Sequence, residues 1–206
     1  MQAIAPARPV LVLGDSLSAA YGINPDSGWV SLLRERLQQA QPARAVINAS
    51  ISGETTAGGL ARLQDLLKEH QPALIVVELG ANDALRGLPL AAPRENLGRI
   101  LQLSLDAGSR VLLVGTEIPI NYGPQYRDGL RSMYRDLSEE FNVPLVPFLL
   151  EGVALDPALL QEDGLHPVAA AQPRLLENVW PALEMELSGP AKNDSAGTIV
   201  GQETKP

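Results

Sequence analysis

Five short, β-branched-rich apolar runs recur along the chain with helix-length stretches between them, and this alternation constrains the fold more than any other feature. The runs are Val10 to Gly14, Ala45 to Ala49, Leu74 to Leu79, Val111 to Gly115 and Val143 to Val146. Each is short, continuous and apolar, the pattern of a strand buried on both faces. Between them, Trp29, Leu32, Leu33 and Leu37, and then Leu60, Leu63, Leu66 and Leu67, repeat at the three- and four-residue spacing of an amphipathic helix. Alternating strand and helix implies parallel strands joined by right-handed crossovers, with helices on both faces of one sheet. A last helical stretch, from Val168 to about Leu187, would close the domain.

The expected organisation is therefore one α/β domain over residues 9–187, with a flexible N-terminus at 1–8. From Ser188 onward the sequence turns small and polar, so 188–206 is expected to be a disordered tail. A chain of 206 residues with 45% apolar composition can bury one ordinary core.

Sixteen basic against 24 acidic side chains leave a net charge of −8, and no basic stripe is present to track a phosphate backbone. Nucleic acid is not an expected partner. Cysteine is absent, which excludes disulfides, thiolate metal sites and a cysteine nucleophile. No apolar run approaches the roughly 18 residues of a membrane span, so no stable membrane insertion is expected. Met1 to Pro9 has neither the charged start nor the apolar centre of a signal peptide.

In an open parallel sheet, ligands bind outside the carboxyl ends of the strands. Ser16 follows the first run, Gly53 the second and Asn82 the third, while His166 follows the fifth. One sheet edge thus gathers a hydroxyl, a glycine backbone, an amide and an imidazole. Each has an ordinary reading as well: Ser16 as a helix cap, Gly53 as a loop glycine, Asn82 as a turn amide, and Asp163-Gly164 as a solvated turn. Read together, they form an acyl-transfer set in which Ser16 is the nucleophile and His166 the base. Asp163 would fix the tautomer of His166 and stabilise its protonated form. The other histidine, His70, ends a helical run before Gln71-Pro72 and is assigned a structural role.

Asp15 and Asp83 flank these segments. Paired carboxylates at a sheet edge can hold Mg²⁺, but aspartates in such turns also bond nearby backbone N–H groups, and the second role is preferred here. No zinc cluster, phosphate-binding glycine loop or Gly-x-Ser-x-Gly elbow is present. No metal and no cofactor are expected.

The segments Gly14-Asp15-Ser16-Leu17-Ser18, Ile51-Ser52-Gly53, Gly80-Ala81-Asn82-Asp83 and Asp163-Gly164-Leu165-His166-Pro167 together resemble the SGNH branch of the GDSL serine hydrolases, over roughly residues 9 to 187. The text between them is most similar to the bacterial multifunctional thioesterase I/lysophospholipase/arylesterase group. The resemblance implies a flavodoxin-like three-layer α/β/α fold with strand order 2-1-3-4-5. It also implies an oxyanion hole built from the backbone N–H groups of Ser16 and Gly53 and the side-chain amide of Asn82. Ala81 and Ala84 stand where glycine is common in the family, which bears on the accepted acyl length.

What the resemblance implies for substrate is a small-molecule ester or thioester: aryl esters, short to medium acyl chains and lysophospholipids. Candidate acyl-pocket residues are Ile51 and Leu85 near the oxyanion loops, Pro119, Ile120 and Tyr122 after the fourth strand, and Leu149 and Leu150 after the fifth. The segment from Asn82 to Pro89 is a candidate lip over the site. A carbohydrate O-deacetylase of the same superfamily is the alternative activity and would need a polar groove. A non-catalytic flavodoxin-like binding module is a further alternative. The family is often exported, so a periplasmic or secreted location is the expectation, with a monomer as the default state.

Overall fold

In the computed structural model, residues 7–40 and 43–189 are described. Strands β1 (Val10–Gly14), β2 (Val46–Asn48), β3 (Leu74–Glu78), β4 (Arg110–Val114) and β5 (Leu145–Val146) alternate with helices α1 (Trp29–Gln39), α2 (Thr56–His70), α3 (Ala81–Leu85), α4 (Ala91–Asp106), α5 (Pro124–Phe141) and α6 (Gln172–Ser188). The sheet is parallel throughout, in the order β2-β1-β3-β4-β5. Both the class and the strand order agree with the expectation.

Side-chain alternation along the strands divides the core in two. Val10, Val12, Val76 and Val114 point toward α1 and α6, where Trp29, Leu33, Leu175 and Val179 are buried against them. Leu11, Leu13, Val77 and Leu113 point the other way, against Leu63 of α2, Leu97 and Ile100 of α4, and Leu130 and Leu137 of α5. This is why the strand runs read as unbroken apolar stretches.

β5 is two residues long, although the apolar run begins at Val143. The Val143 N–H is used elsewhere: it donates to the Ser138 carbonyl, closing the end of α5 around Asn142, whose φ is 49°. Pro144 and Pro147 then bracket the strand, and neither has an N–H to extend the ladder. The final helix begins at Gln172, after a 3₁₀ turn at Ala169–Ala171.

Most of the N-terminal segment 1–8 and of the tail 188–206 lies outside the described residues. Within them, Arg8 donates to the carbonyls of Gln71 and Pro72, and Ser188 is the last residue of α6. Among the described residues, no helix is long and apolar enough to cross a membrane.

Candidate active site

The parallel register delivers the loops after β1, β2 and β3 to one edge, and the segment before α6 returns to it. Asp15 turns the first loop by accepting the Leu17 N–H on its Oδ1 at 3.0 Å, which leaves Ser16 half-buried at the turn. The 163–166 turn is built the same way. Asp163 Oδ1 accepts the N–H groups of Leu165 (2.9 Å) and His166 (3.0 Å), and Gly164 has a φ of 69°.

These turns leave Asp163 Oδ2 2.6 Å from His166 Nδ1, and His166 Nε2 2.8 Å from Ser16 Oγ. The backbone N–H of His166, foremost, and that of Leu165 hold the Asp163 carboxyl down to about 2, so at neutral pH it is ionised and can only accept. The imidazole proton therefore sits on Nδ1. Nε2 is left with a lone pair, and Ser16 Oγ–H donates to it.

The histidine segment is clamped from both sides. Leu160 and Pro167 form an antiparallel bridge, and the Gln161 N–H donates to the His166 carbonyl at 2.7 Å. The Gln161 side-chain amide reaches the carbonyls of Tyr21 (2.8 Å) and Pro167 (3.1 Å), joining the serine loop to the histidine loop. The Tyr21 ring lies 4.5 Å from the imidazole, tilted by 43°. Neither Gln161 nor Tyr21 stands out in the sequence; Gln161 is two residues before Asp163 and Tyr21 five after Ser16.

Gly53 and Asn82 complete the group. Gly53 takes a φ of 78°, and a Cβ built on it would have no neighbour within 4 Å. The reason for glycine there is thus the backbone angle, with open cavity beyond it, more than a crowded wall. Ser16 and Gly53 both line the cavity, and neither backbone N–H donates to a backbone group in the turns and loops among the described residues. The Asn82 amide nitrogen donates to Asp15 Oδ2 (3.1 Å) and to the Glu54 carbonyl (2.9 Å). An oxyanion at this place would have to draw on a donor that Asp15 and Glu54 already hold.

Asp83 accepts the Thr56 N–H and hydroxyl at 2.9 and 2.7 Å, fixing the start of α2. Asp15 and Asp83 thus both act as loop-holding carboxylates. Among the described residues, no group of three or more His, Asp or Glu side chains is placed to hold a metal ion. His70 ends α2, about 20 Å along the helix from Thr56, with its Nε2 3.7 Å from Glu69 Oε1.

A cavity of about 790 Å³ opens beside Ser16 and His166. Of the candidate pocket residues, Leu85, Pro119, Ile120 and Leu150 line it. Three other candidates do not. Leu149 is fully buried in the α1/α6 side of the core. Tyr122 spends its hydroxyl on the Leu85 carbonyl at 2.7 Å and packs outside the cavity. Ile51 stays half-exposed on the loop before Gly53.

Residues not anticipated complete the wall: Phe148, Ala154, Leu155, Leu160 and Leu165, with Glu117, Arg127 and Arg131 at one side. Hydrogen bonds from Arg131 hold the Glu117 carboxyl below its usual range. The candidate lip is helical as far as Leu85, and the Tyr122 and Tyr126 hydroxyls brace it through the carbonyls of Leu85 and Leu88.

Comparison with known proteins shows the family of the chain. The family model for GDSL-like lipases/acylhydrolases matches residues 12–172. Esterase TesA of Pseudomonas aeruginosa PAO1 is 50% identical over 180 residues, 87% of this chain and 90% of that protein. Thioesterase 1/protease 1/lysophospholipase L1 of Escherichia coli K12 is 43% identical over 182 residues, 88% of this chain and 85% of that one. The crystal structure of AlinE4, an SGNH-hydrolase family esterase, superposes with a TM-score of 0.72 at 37% identity, covering 91% of this chain and all of AlinE4. The chain belongs to the GDSL-like lipase/acylhydrolase family and carries the SGNH-hydrolase fold.

Proposed function

We propose that the chain is a serine esterase that hydrolyses carboxylic esters and thioesters, with aryl esters, short to medium acyl chains and lysophospholipids as its substrate class. The observation that carries this reading is the hydrogen-bonded run from Asp163 through His166 to Ser16 Oγ at the mouth of a largely apolar cavity. Ser16 attacks the carbonyl carbon while His166 Nε2 takes its proton. The oxyanion then meets the Ser16 and Gly53 N–H groups and shares the Asn82 amide with Asp15. Collapse expels the alcohol or thiol, protonated by His166, and water activated by the same imidazole releases the acid from Ser16.

The names of the relatives support ester and thioester substrates. Leu150, Leu160, Phe148 and Leu165 suit an acyl chain, and they count against a carbohydrate O-deacetylase, which needs polar walls. A fluorophosphonate followed by mass spectrometry should give a single adduct on Ser16. A p-nitrophenyl ester and acyl-thioester chain-length series on the wild type and Ser16→Ala should show activity that the substitution abolishes. Activity surviving in Ser16→Ala would remove Ser16 as the nucleophile, and a wild type with neither adduct nor activity would return the chain to the binding-module reading.

A further inference from the structure

We infer that Glu78 is a positioning residue for this site: buried beneath the nucleophile loop as a neutral acid beside Asp15, it keeps Asp15 as the single carboxylate that aims the Asn82 amide. The inference rests on the reading of Asn82 as an oxyanion donor.

Glu78 is the last residue of β3 and lies opposite Gly14, the last residue of β1. It is 2% exposed and Asp15 is 1% exposed. Glu78 Oε2 accepts the Ser18 hydroxyl at 2.7 Å and the Asp15 N–H at 3.3 Å. Gly14 makes room for this: a Cβ there would lie 2.8 Å from Ser18 Cβ and Oγ and 2.9 Å from Glu78 Oε2. The glycine before the nucleophile segment is therefore matched to a glutamate on the next strand.

The Asp15 and Glu78 carboxyl groups are both buried and neighbours, with the Asp15 N–H on Glu78 Oε2, and such a pair calls for a proton on one of them. Two bare carboxylates in contact and out of water repel too strongly for both to be ionised. Burial raises both groups, Glu78 well above its ordinary range and Asp15 to about 6. The Leu17 N–H and the Asn82 amide favour the ionised form of Asp15, while the charge facing Glu78 is that of Asp15 itself. The proton accordingly rests on Glu78.

This arrangement limits the negative charge under the oxyanion donors to one unit. It also fixes the carboxylate that receives both the Leu17 N–H, next to Ser16, and the Asn82 amide. Glu78 does not itself line the cavity; it meets Asp15 and Ser18, so it acts through Asp15.

The test compares Glu78→Gln, which keeps a donor for Asp15 and an acceptor for Ser18, with Glu78→Leu, which keeps only bulk. Glu78→Gln is expected to hold kcat within about threefold of wild type. Glu78→Leu is expected to lose about ten- to a hundredfold in kcat with KM within about twofold, part of the loss caused by removing an oxyanion donor. In infrared spectra at neutral pH, the wild type should show the carbonyl stretch of a protonated carboxylic acid, absent from Glu78→Gln. Wild-type kcat in Glu78→Leu, an equal loss in both variants, or no acid band in the wild type would overturn the inference. Should Glu78→Leu fail to give a cooperative thermal melt, Glu78→Gln and the infrared band decide. A Ser16 fluorophosphonate adduct with undiminished kcat in Glu78→Leu defeats this inference alone; activity in Ser16→Ala defeats the reading of Ser16 as the nucleophile with it.

Discussion

One carboxylate three residues before a histidine can orient it only if the chain turns back on itself, and here the turn and the chemistry use the same side chain. Asp163 Oδ1 closes the turn through two backbone N–H groups, and Oδ2 is left for the imidazole. Asp163→Asn would put an amide against Nδ1, able to donate where the carboxylate could only accept, and so favour the wrong tautomer. A kcat lower by about three to four powers of ten with little change in KM is the expected steady-state result. A loss under tenfold would mean that the imidazole is oriented by Gln161 and Tyr21 instead. At this scale, the meeting of Ser16, Gly53, Asn82, Asp163 and His166 at one sheet edge was legible, because their order after the strand runs already places them there. Glu78 was not legible, because it lies within the apolar run from Leu74 to Leu79 and nothing local says that it faces Ser18. That relation exists only once β1 and β3 are paired.

At the scale of elements, the apolar runs announced the five strands, and the two core clusters show why: each strand is buried on both faces. Their ends were less legible, since Pro144, Pro147 and the Val143 N–H that caps α5 shorten β5 for reasons outside the run itself. The cavity wall was read only in part. Leu149 and Leu150 are equally apolar and both are buried on the α1/α6 side, yet of the two only Leu150 also lines the cavity, a difference that residue type does not announce. The β1–β3 pairing yields its own prediction. Gly14→Ala sets a methyl against Ser18 Cβ, which cannot swing away as a flexible chain end could, so the strand end must shift. A loss of about 1–3 kcal/mol in denaturant unfolding is expected, together with lowered kcat. Unchanged stability would show that the strand end yields freely and that Glu78 is not tightly seated.

Across the whole molecule, two sets of carboxyl groups pull stability in opposite directions with pH. Asp163 and Glu117 are held below their ordinary range, so their contribution is present at neutral pH and lost in acid, for Asp163 as pH falls through about 2. Asp15 and Glu78 are raised, so the folded chain binds protons that the unfolded chain has released. Their contribution is complete in acid and declines as pH rises, for Asp15 through about 6. Above pH 6, Asp15 has ionised in both states, and Glu78 is the carboxyl of the pair whose folded form still holds a proton. The wild type should therefore lose up to about 1.4 kcal/mol per pH unit relative to Glu78→Gln, the value of one bound proton. Surface repulsion from the net charge of −8 acts on both proteins almost equally and cancels in the difference. Urea unfolding of the two proteins between pH 6.5 and 8.5 measures it directly. A gap that changes with pH places the proton on Glu78 in the native protein. Parallel lines would mean that Glu78 is ionised under the site, and that the Asn82 amide is held against two negative charges instead of one.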